Sequence, residues 1–132
     1  MVTEFFMPMI PPTTTHQQKQ VMVRNGKPVF YEPEDLKAAR AKFMAHLGQH
    51  VPDRKFKGPL RLMAKWCFPL IKGKQDGQYK DTKPDNGNSN KLLEDCMEDL
   101  GYFEKGDAQI ASLIVEHFWA KVPGIYIRIE EI

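Results

Sequence analysis

The residues best suited to chemistry lie in the segment KPDNGNSNKLLEDCMEDLGYFEKGDAQ, between Lys83 and Gln109. Asp85 precedes a predicted helix, Lys91 lies one turn inside it, and Asp107 follows it. Two carboxylates are candidate metal ligands, and a lysine ammonium can meet a phosphate. Each residue also has an ordinary structural interpretation. Asp85 would favour the positive end of the helix, and Asp107 would begin a turn or strand. Lys91 would pair with Asp95, four residues later.

The helix between the two aspartates is predicted from a repeating apolar face. Its apolar residues recur at helical spacing, and Gly101 follows as a stop signal. Short polar residues that can cap the first amides stand at its start. The apolar residues are Leu92, Leu93, Cys96, Met97 and Leu100, and the capping candidates are Asn86, Asn88 and Ser89.

Charge is unevenly distributed although the net charge of the 132-residue chain is only +2. Arg54 to Lys91 contains ten basic and three acidic residues, whereas Glu94 to the end contains three basic and nine acidic residues. A basic band of this kind suits a polyanion, but by itself it favours the interpretation as a solvated surface slightly more. At this length and with 42% hydrophobic residues, residues 1–132 are expected to form a single domain.

Cys67 and Cys96 lie in apolar runs far apart, so both are expected to be buried thiols in a reducing compartment. The spacing excludes a zinc motif. The start, MVTEFFMPMIPP, lacks a basic leader region, and no apolar run reaches the length of a membrane span. A cytoplasmic protein without membrane contact is expected.

The first third of the chain predicts a strand and a hairpin. Glu4–Ile10 is a strand candidate that ends at Pro11–Pro12, since proline cannot donate to a sheet ladder. The polar segment 11–20 is expected to be irregular. QVMVR and KPVFY then flank Asn25–Gly26, a pair that tolerates the positive φ angles of a type I′ turn, so they predict a hairpin.

A helix, a strand and a loop follow. Glu34–Leu47 is predicted to be helical, with acids early and Gly48 as its stop. Arg61–Leu70 alternates apolar and polar residues and predicts a core strand. Lys72–Pro84 is poor in apolar residues and predicts a mobile loop or extended edge, which is compatible with a plain linker or with a segment that orders on a phosphodiester backbone.

Gln109–Trp119 and Ile125–Glu131 are predicted to be the last two strands, forming an antiparallel pair. His117 is expected to be a packed or hydrogen-bonded sheet histidine. The order of elements predicts an α+β domain, with a mixed sheet, a β-hairpin and two main helices packed on the sheet.

The central segment resembles the active-site region of the RusA family of Holliday-junction resolvases, which are crossover-junction endodeoxyribonucleases. Their motif can be written KPDxDNxxK, followed by a helix and an aromatic-rich turn ending in DDAQ. The matching residues here are Lys83–Asp85, Asn88, Lys91, the helix LLEDCMEDLG, and Phe103 with Gly106–Gln109. PTTTHQQK, NGKPVFYEP, KWCFPL and VPGIYIRIEE look like the phage and Gram-positive branch of the family, so the resemblance spans nearly the whole chain.

The resemblance implies a RusA-like fold and a homodimer that binds four-way DNA junctions and hydrolyses phosphodiester bonds with Mg²⁺, which Mn²⁺ can replace. Asp85 and Asp107 would be metal ligands, brought together by the folding of the helix between them. Lys91 would be the active-site lysine. The residues expected to contact DNA are Lys72, Lys74, Lys80, Lys83 and Asn88.

One position departs from the family motif in a way that affects the metal site. Gly87 stands where the family carries its second metal-binding aspartate, and Gly106 replaces the first acid of DDAQ. Asp81, Asn88 or the DNA phosphate could fill the missing position. The sequence therefore suggests a RusA-like fold that binds branched DNA and cleaves it weakly or not at all. The alternatives are a non-catalytic module that binds branched DNA and a structural protein that needs no metal.

Overall fold

The structure is a computed structural model that describes residues 1–14, 20–24, 26–31 and 33–132. The helix predicted at Glu34–Leu47 is confirmed, and the other predicted boundaries shift by a few residues at most. The elements are β1 (Val2–Pro8), β2 (Gln20–Arg24), β3 (Lys27–Tyr31), α1 (Glu34–Leu47), β4 (Leu60–Pro69), α2 (Asn86–Asp99), a 3₁₀ turn (Asp107–Gln109), β5 (Ile110–Ala120) and β6 (Gly124–Glu131).

Four strands form one mixed sheet in the order β1-β6-β4-β5. β6 is antiparallel to both β1 and β4, whereas β5 is parallel to β4. The expectation that the last two strands pair with each other is therefore wrong, because β4 lies between them. The physical reason is burial. The main-chain edges of β4 are both shielded from solvent only when a strand pairs with β4 on each side. The predicted α+β fold with a mixed sheet is confirmed.

β2 and β3 form the predicted hairpin as a separate two-stranded antiparallel sheet. Gly26 has a φ of 75°, which is the left-handed conformation that a tight hairpin turn requires. Asn25, the other predicted turn residue, lies outside the described residues, as do residues 15–19 of the segment predicted to be irregular.

Both helices cover the same face of the four-stranded sheet and enclose the core. Alternate residues of β4 point into this core, as the sequence pattern predicts. Removing each large apolar side chain from water contributes about 1.5–3 kcal/mol. The buried residues include Leu62, Ala64, Trp66 and Phe68 from β4, Ile125, Ile127 and Ile129 from β6, Leu36, Phe43 and Leu47 from α1, and Leu92, Leu93, Cys96 and Met97 from α2.

α2 begins earlier than the capping candidates suggest. Asp85 occupies the capping position, without a side-chain capping hydrogen bond, and the helix starts at Asn86. Ser89 and Asn90 point into the core instead. Ser89 Oγ lies 3.1 Å from His117 Nε2, and Asn90 Oδ1 accepts a hydrogen bond of 3.0 Å from Trp66 Nε1. These buried partners explain why polar residues that suit a helix cap lie inside the helix.

The segment before α2 lies along the free edge of β5 as an extended edge, which is one of its two predicted forms. Tyr79 forms a bridge with Phe118 and stacks on its ring at 4.8 Å. Main-chain hydrogen bonds join Gly77 N to Trp119 O at 2.8 Å and Lys80 N to His117 O at 2.9 Å. Half of an otherwise open sheet edge is thereby covered.

The two cysteines are free thiols, as expected, with Cys96 buried and Cys67 half-buried. Burial raises the pKa of Cys67, so this thiol stays protonated at neutral pH. None of the helices in the described part of the chain is long and apolar enough to cross a membrane.

Tyr102 offers a test of the packing between α1 and the turn after α2. Its buried hydroxyl donates a hydrogen bond of 2.6 Å to the main-chain oxygen of Leu47. We expect Tyr102→Phe to lower the free energy of unfolding by about 1–3 kcal/mol, because the buried carbonyl loses its partner. Urea denaturation measures this, with Tyr79→Phe as the matched control, since Tyr79 is 65% exposed. Equal effects of the two substitutions would contradict the assigned role.

Candidate active site

An acidic group lies beside the second half of α2. One carboxylate oxygen each from Asp95, Glu98 and Asp107 lies within 4.8 Å of the others. Asp95 and Glu98 are three residues apart on the helix and therefore share a face. Asp107 joins them because the chain reverses direction after the helix.

Gly106 makes this reversal possible. Its φ is 117°, and a Cβ there would lie only 2.2 Å from Glu98 Oε1, so a side chain would both strain the backbone and collide with the carboxylate. The main-chain nitrogen of Asp107 instead donates a hydrogen bond of 3.2 Å to Glu98 Oε1. The glycine that replaces an acid of the family motif is thus required for the approach of Asp107 to α2.

Lys91 lies within this acidic group. Its Nζ is 3.4 Å from Asp107 Oδ2 and 4.0 Å from Asp95 Oδ1. The Asp107 carboxylate is the largest influence on the pKa of Lys91 and raises it, with a further contribution from Asp95 and against a smaller effect of burial. Lys91 therefore carries a full charge at neutral pH. The simple i to i+4 pair with Asp95 is present, and the contact of Lys91 with Asp107 is one that the sequence did not predict.

Asp85 lies apart from this group, at the opposite end of α2. Its side chain is 56% exposed and pairs with Lys83 at 3.0 Å. α2 has 14 residues, which span about 20 Å at 1.5 Å per residue. Asp107 contacts the last turn of this helix, whereas Asp85 precedes its first. Asp107 also reaches Lys91 in the second turn, but Asp85 is not part of the acidic group that contains Asp107.

A cleft of about 860 Å³ opens at the Asp85 end of α2. Residues 79–86 form one side of it and Val115, Glu116 and His117 form the other. A hydrogen bond of 2.6 Å from Asn86 Nδ2 to the main-chain oxygen of Val115 attaches the start of α2 to β5. Glu116 accepts a hydrogen bond of 2.6 Å from the Tyr79 hydroxyl. The cleft therefore combines carboxylates and lysines on a surface open to solvent.

The predicted DNA-contacting residues differ in exposure. Lys72 and Lys83 are exposed, and Lys74 and Asn88 are partly exposed. Lys80 Nζ lies over the rings of Phe68 and Trp119, at 4.7 and 5.2 Å from their centres.

Lys80 has further contacts that hold its ammonium in place. It donates to the main-chain oxygen and to the hydroxyl of Thr82, both at 2.9 Å, and to the main-chain oxygen of Lys83. Burial lowers its pKa. These contacts stabilise the segment that forms the cleft wall.

Gly87, at the position where the resemblance implies the family's second aspartate, lies in the first turn of α2. A Cβ at this position would meet nothing within 4 Å. The position therefore accepts a side chain without steric cost. The missing carboxylate is a matter of residue identity and not of backbone geometry.

Sequence reasoning did not propose Asp95, Glu98 or Glu116 as site residues. The spacing of Asp95 from Lys91 was a usable signal, because i and i+4 residues are neighbours on a helix. Glu98 and Glu116 carried no such signal. Their positions depend on the reversal at Gly106 and on the segment that covers the edge of β5.

The chain matches a known protein family. The family model described as Endodeoxyribonuclease RusA matches residues 9–130. Since this range covers nearly the whole chain, the protein belongs to the RusA endodeoxyribonuclease family, whose activity is that of a Holliday-junction resolvase nuclease. No match was found among the curated proteins that were compared with it.

His117, which contacts the first turns of α2, makes the stability of the protein depend on pH. Burial, followed by the charge of Lys80, lowers the pKa of His117 from 6.5 to about 4. The unfolded chain therefore takes up this proton first as the pH falls. The stability that neutral His117 contributes is complete above about pH 6.5 and is lost as the pH falls toward 4.

We expect the free energy of unfolding to fall between pH 7 and pH 5, and to fall less steeply in His117→Gln. Glutamine keeps a polar partner for Ser89 but takes up no proton in this range. Urea denaturation of both proteins at several pH values measures the difference between their slopes. Identical slopes would show that His117 is not the group responsible.

Proposed function

We propose that this protein resolves four-way DNA junctions by divalent-metal-dependent hydrolysis of phosphodiester bonds. The observation that carries the proposal is the family match over residues 9–130, together with the acids and lysine of the family motif at Asp85, Lys91 and Asp107. The four-way junction is the substrate that this family membership implies. Mg²⁺ is the proposed ion, with Mn²⁺ as a substitute.

The donor set beside α2 fits a divalent metal. Asp95, Glu98 and Asp107 offer carboxylate oxygens, which are the hard ligands that Mg²⁺ prefers, within 4.8 Å of one another. When bound, the ion would polarise the phosphodiester and lower the pKa of a water molecule. Lys91 stands among the same carboxylates with its ammonium charged, so it is positioned to stabilise negative charge on a phosphate that enters the site.

The cleft and the basic segment beside it are proposed to bind the DNA backbone. Lys72 and Lys83 are exposed and can reach phosphates without losing buried contacts. Lys74 and Asn88 are partly exposed and are proposed to assist them. Lys80 is proposed to support the cleft wall that binds the DNA, because its ammonium already donates hydrogen bonds to Thr82 and Lys83 in that wall.

A non-catalytic protein that binds branched DNA is the second candidate, and Gly87 is the observation that favours it. Loss of a partner that only supports a metal ligand commonly costs about 10–100-fold in affinity or activity. Loss of a ligand itself is expected to cost at least as much. The two candidates share the basic segment and differ in whether a metal-dependent product forms.

Asp107→Asn separates these candidates. If the protein is a nuclease, we expect this change to reduce junction cutting by at least 100-fold, because a charged ligand becomes a neutral amide, while junction affinity changes little. Binding and cutting are measured on a labelled four-way junction and a matched linear duplex, with Mg²⁺, with Mn²⁺ and with EDTA.

Asp99→Asn is the matched control, since Asp99 is also an aspartate at the end of α2 but lies outside the acidic group. The Asp99→Asn protein is expected to cut the junction at the same rate as the unchanged protein. Junction binding with no metal-dependent product from the unchanged protein would favour the non-catalytic candidate. Equal affinity for junction and duplex would contradict both.

Gly87→Asp tests the missing carboxylate. We expect it to raise Mg²⁺-dependent cutting by about 10-fold or more, because it adds beside Asp85, at the start of α2, the carboxylate that the family motif carries there. Replacing glycine in a helix and placing an acid in the first turn should also stabilise α2, by about 1 kcal/mol. Gly87→Asn is the control, with similar size and no charge. If Gly87→Asp and the unchanged protein cut at equal rates, the proposed role of position 87 is wrong.

A further inference from the structure

An aromatic pair lies at the cleft beside the start of α2. The ring of Tyr79, which lines the cleft, stacks on the ring of Phe118, with 4.8 Å between the ring centres and 24° between the ring planes. Tyr79 is 65% exposed, whereas Phe118 is partly buried. Because Phe118 covers only one face of the Tyr79 ring, the exposed area of this ring lies on its opposite, outer face.

Three contacts fix the direction in which the Tyr79 ring points. Main-chain hydrogen bonds of 2.8 and 2.9 Å attach the flanking residues, Gln78 and Lys80, to β5. The Tyr79 hydroxyl donates a hydrogen bond of 2.6 Å to Glu116. This hydrogen bond raises the pKa of Tyr79, so the hydroxyl stays protonated and the ring stays uncharged. A side chain that is already held in place loses little freedom when a ligand binds to it.

The packing of apolar surface explains the inner face of the Tyr79 ring but not its outer face. Trp66 and Tyr102, which serve the core, are at most 1% exposed. Tyr79 instead presents its outer face in the same cleft wall as Lys83, whose side chain is 85% exposed. Proteins bind unpaired nucleotides with these two features together, because a cation contacts the phosphate and an aromatic face stacks on the base.

We propose that the outer face of Tyr79 is a stacking platform for an unpaired base of the DNA, and that Lys83 contacts the backbone of the same strand. A base that already lacks a pairing or stacking partner leaves the helix at the lowest cost, and such bases occur where strands exchange in branched DNA. Tyr79 therefore favours branched DNA over a linear duplex. This role rests on the proposed function for its substrate, and it adds a residue that recognises the branch point.

DNA affinity of the Tyr79→Leu protein tests the platform. Fluorescence anisotropy in EDTA, where no strand is cut, measures binding to a four-way junction, a matched linear duplex and a single-stranded oligonucleotide. We expect Tyr79→Leu to bind the junction and the single strand about 10-fold more weakly, because leucine can pack on Phe118 but cannot stack on a base. Its affinity for the duplex is expected to change little, because the bases of a duplex are already stacked.

Tyr79→Trp and Tyr79→Phe keep an aromatic ring and are expected to bind all three DNAs like the unchanged protein. Phe6→Leu is the matched control, because Phe6 is a 38% exposed aromatic residue on β1, at the opposite edge of the sheet from β5. Urea denaturation of each variant checks the fold. If Tyr79→Leu loses no affinity, or loses it equally for junction and duplex, the stacking role is wrong.

A fluorescent base tests the contact directly. Aminopurine is placed at the point of strand exchange, and its emission is quenched when an aromatic ring stacks on it. We expect the junction to emit less in complex with the unchanged protein or Tyr79→Phe than in complex with Tyr79→Leu. A junction with aminopurine in the middle of one arm is the control and is expected to show no such difference. Equal emission from all complexes of the first junction would overturn the stacking role.

The single-stranded oligonucleotide separates this role from the proposed function. Equal affinity of the unchanged protein for junction and duplex would refute the junction function, and the effect of Tyr79→Leu on single-strand binding would still decide whether Tyr79 stacks on a base. A preference for the junction that persists in Tyr79→Leu would instead retain the junction function and refute the role of Tyr79.

Discussion

The packing of α2 against β4 and β5 is the constraint on which the rest of the site depends. Two buried hydrogen bonds hold its first turns: Trp66 donates to Asn90, and Ser89 meets His117. A buried polar group that loses its partner costs about 1–3 kcal/mol, so these contacts favour one position of the helix over others. Once the helix is held there, Asp85 lies at its start and Asp95 and Glu98 lie in its second half beside Asp107.

The same helix organises two regions of different chemistry. At its second half, the reversal at Gly106 adds Asp107 to Asp95 and Glu98, and Lys91 balances part of their charge. At its start, the cleft is open to solvent and its wall is held by Lys80. A divalent ion suits the first region and a phosphate backbone suits the second. Nuclease chemistry needs both.

The edge of β5 links the fold to this arrangement. Residues 77–80 cover the half of the edge that borders the cleft, and the other half presents Ala111 and Leu113. A sheet edge of this kind is a liability in a single chain and a binding surface in a dimer.

Much of the fold follows from the sequence, because local patterns carry it. The alternation along β4, the early acids and Gly48 stop of α1, and the Asn25–Gly26 pair predicted their elements. The motif from Lys83 to Gln109 also indicated the family, and the family match confirms it. These features depend on residues that are close in the chain, and local backbone chemistry governs them.

Long-range contacts decided the order of the strands and which acidic residues lie together. The sequence could not show that β4 separates β5 from β6, since strand order depends on which buried faces meet. Nor could it show that Asp107 joins Asp95 and Glu98 while Asp85 stays apart, because that outcome combines a positive φ at Gly106 with the rigid length of α2. The sequence by itself determined which residues can do chemistry, and the tertiary structure decided which of them meet, because distance in a folded chain is set by packing and not by order.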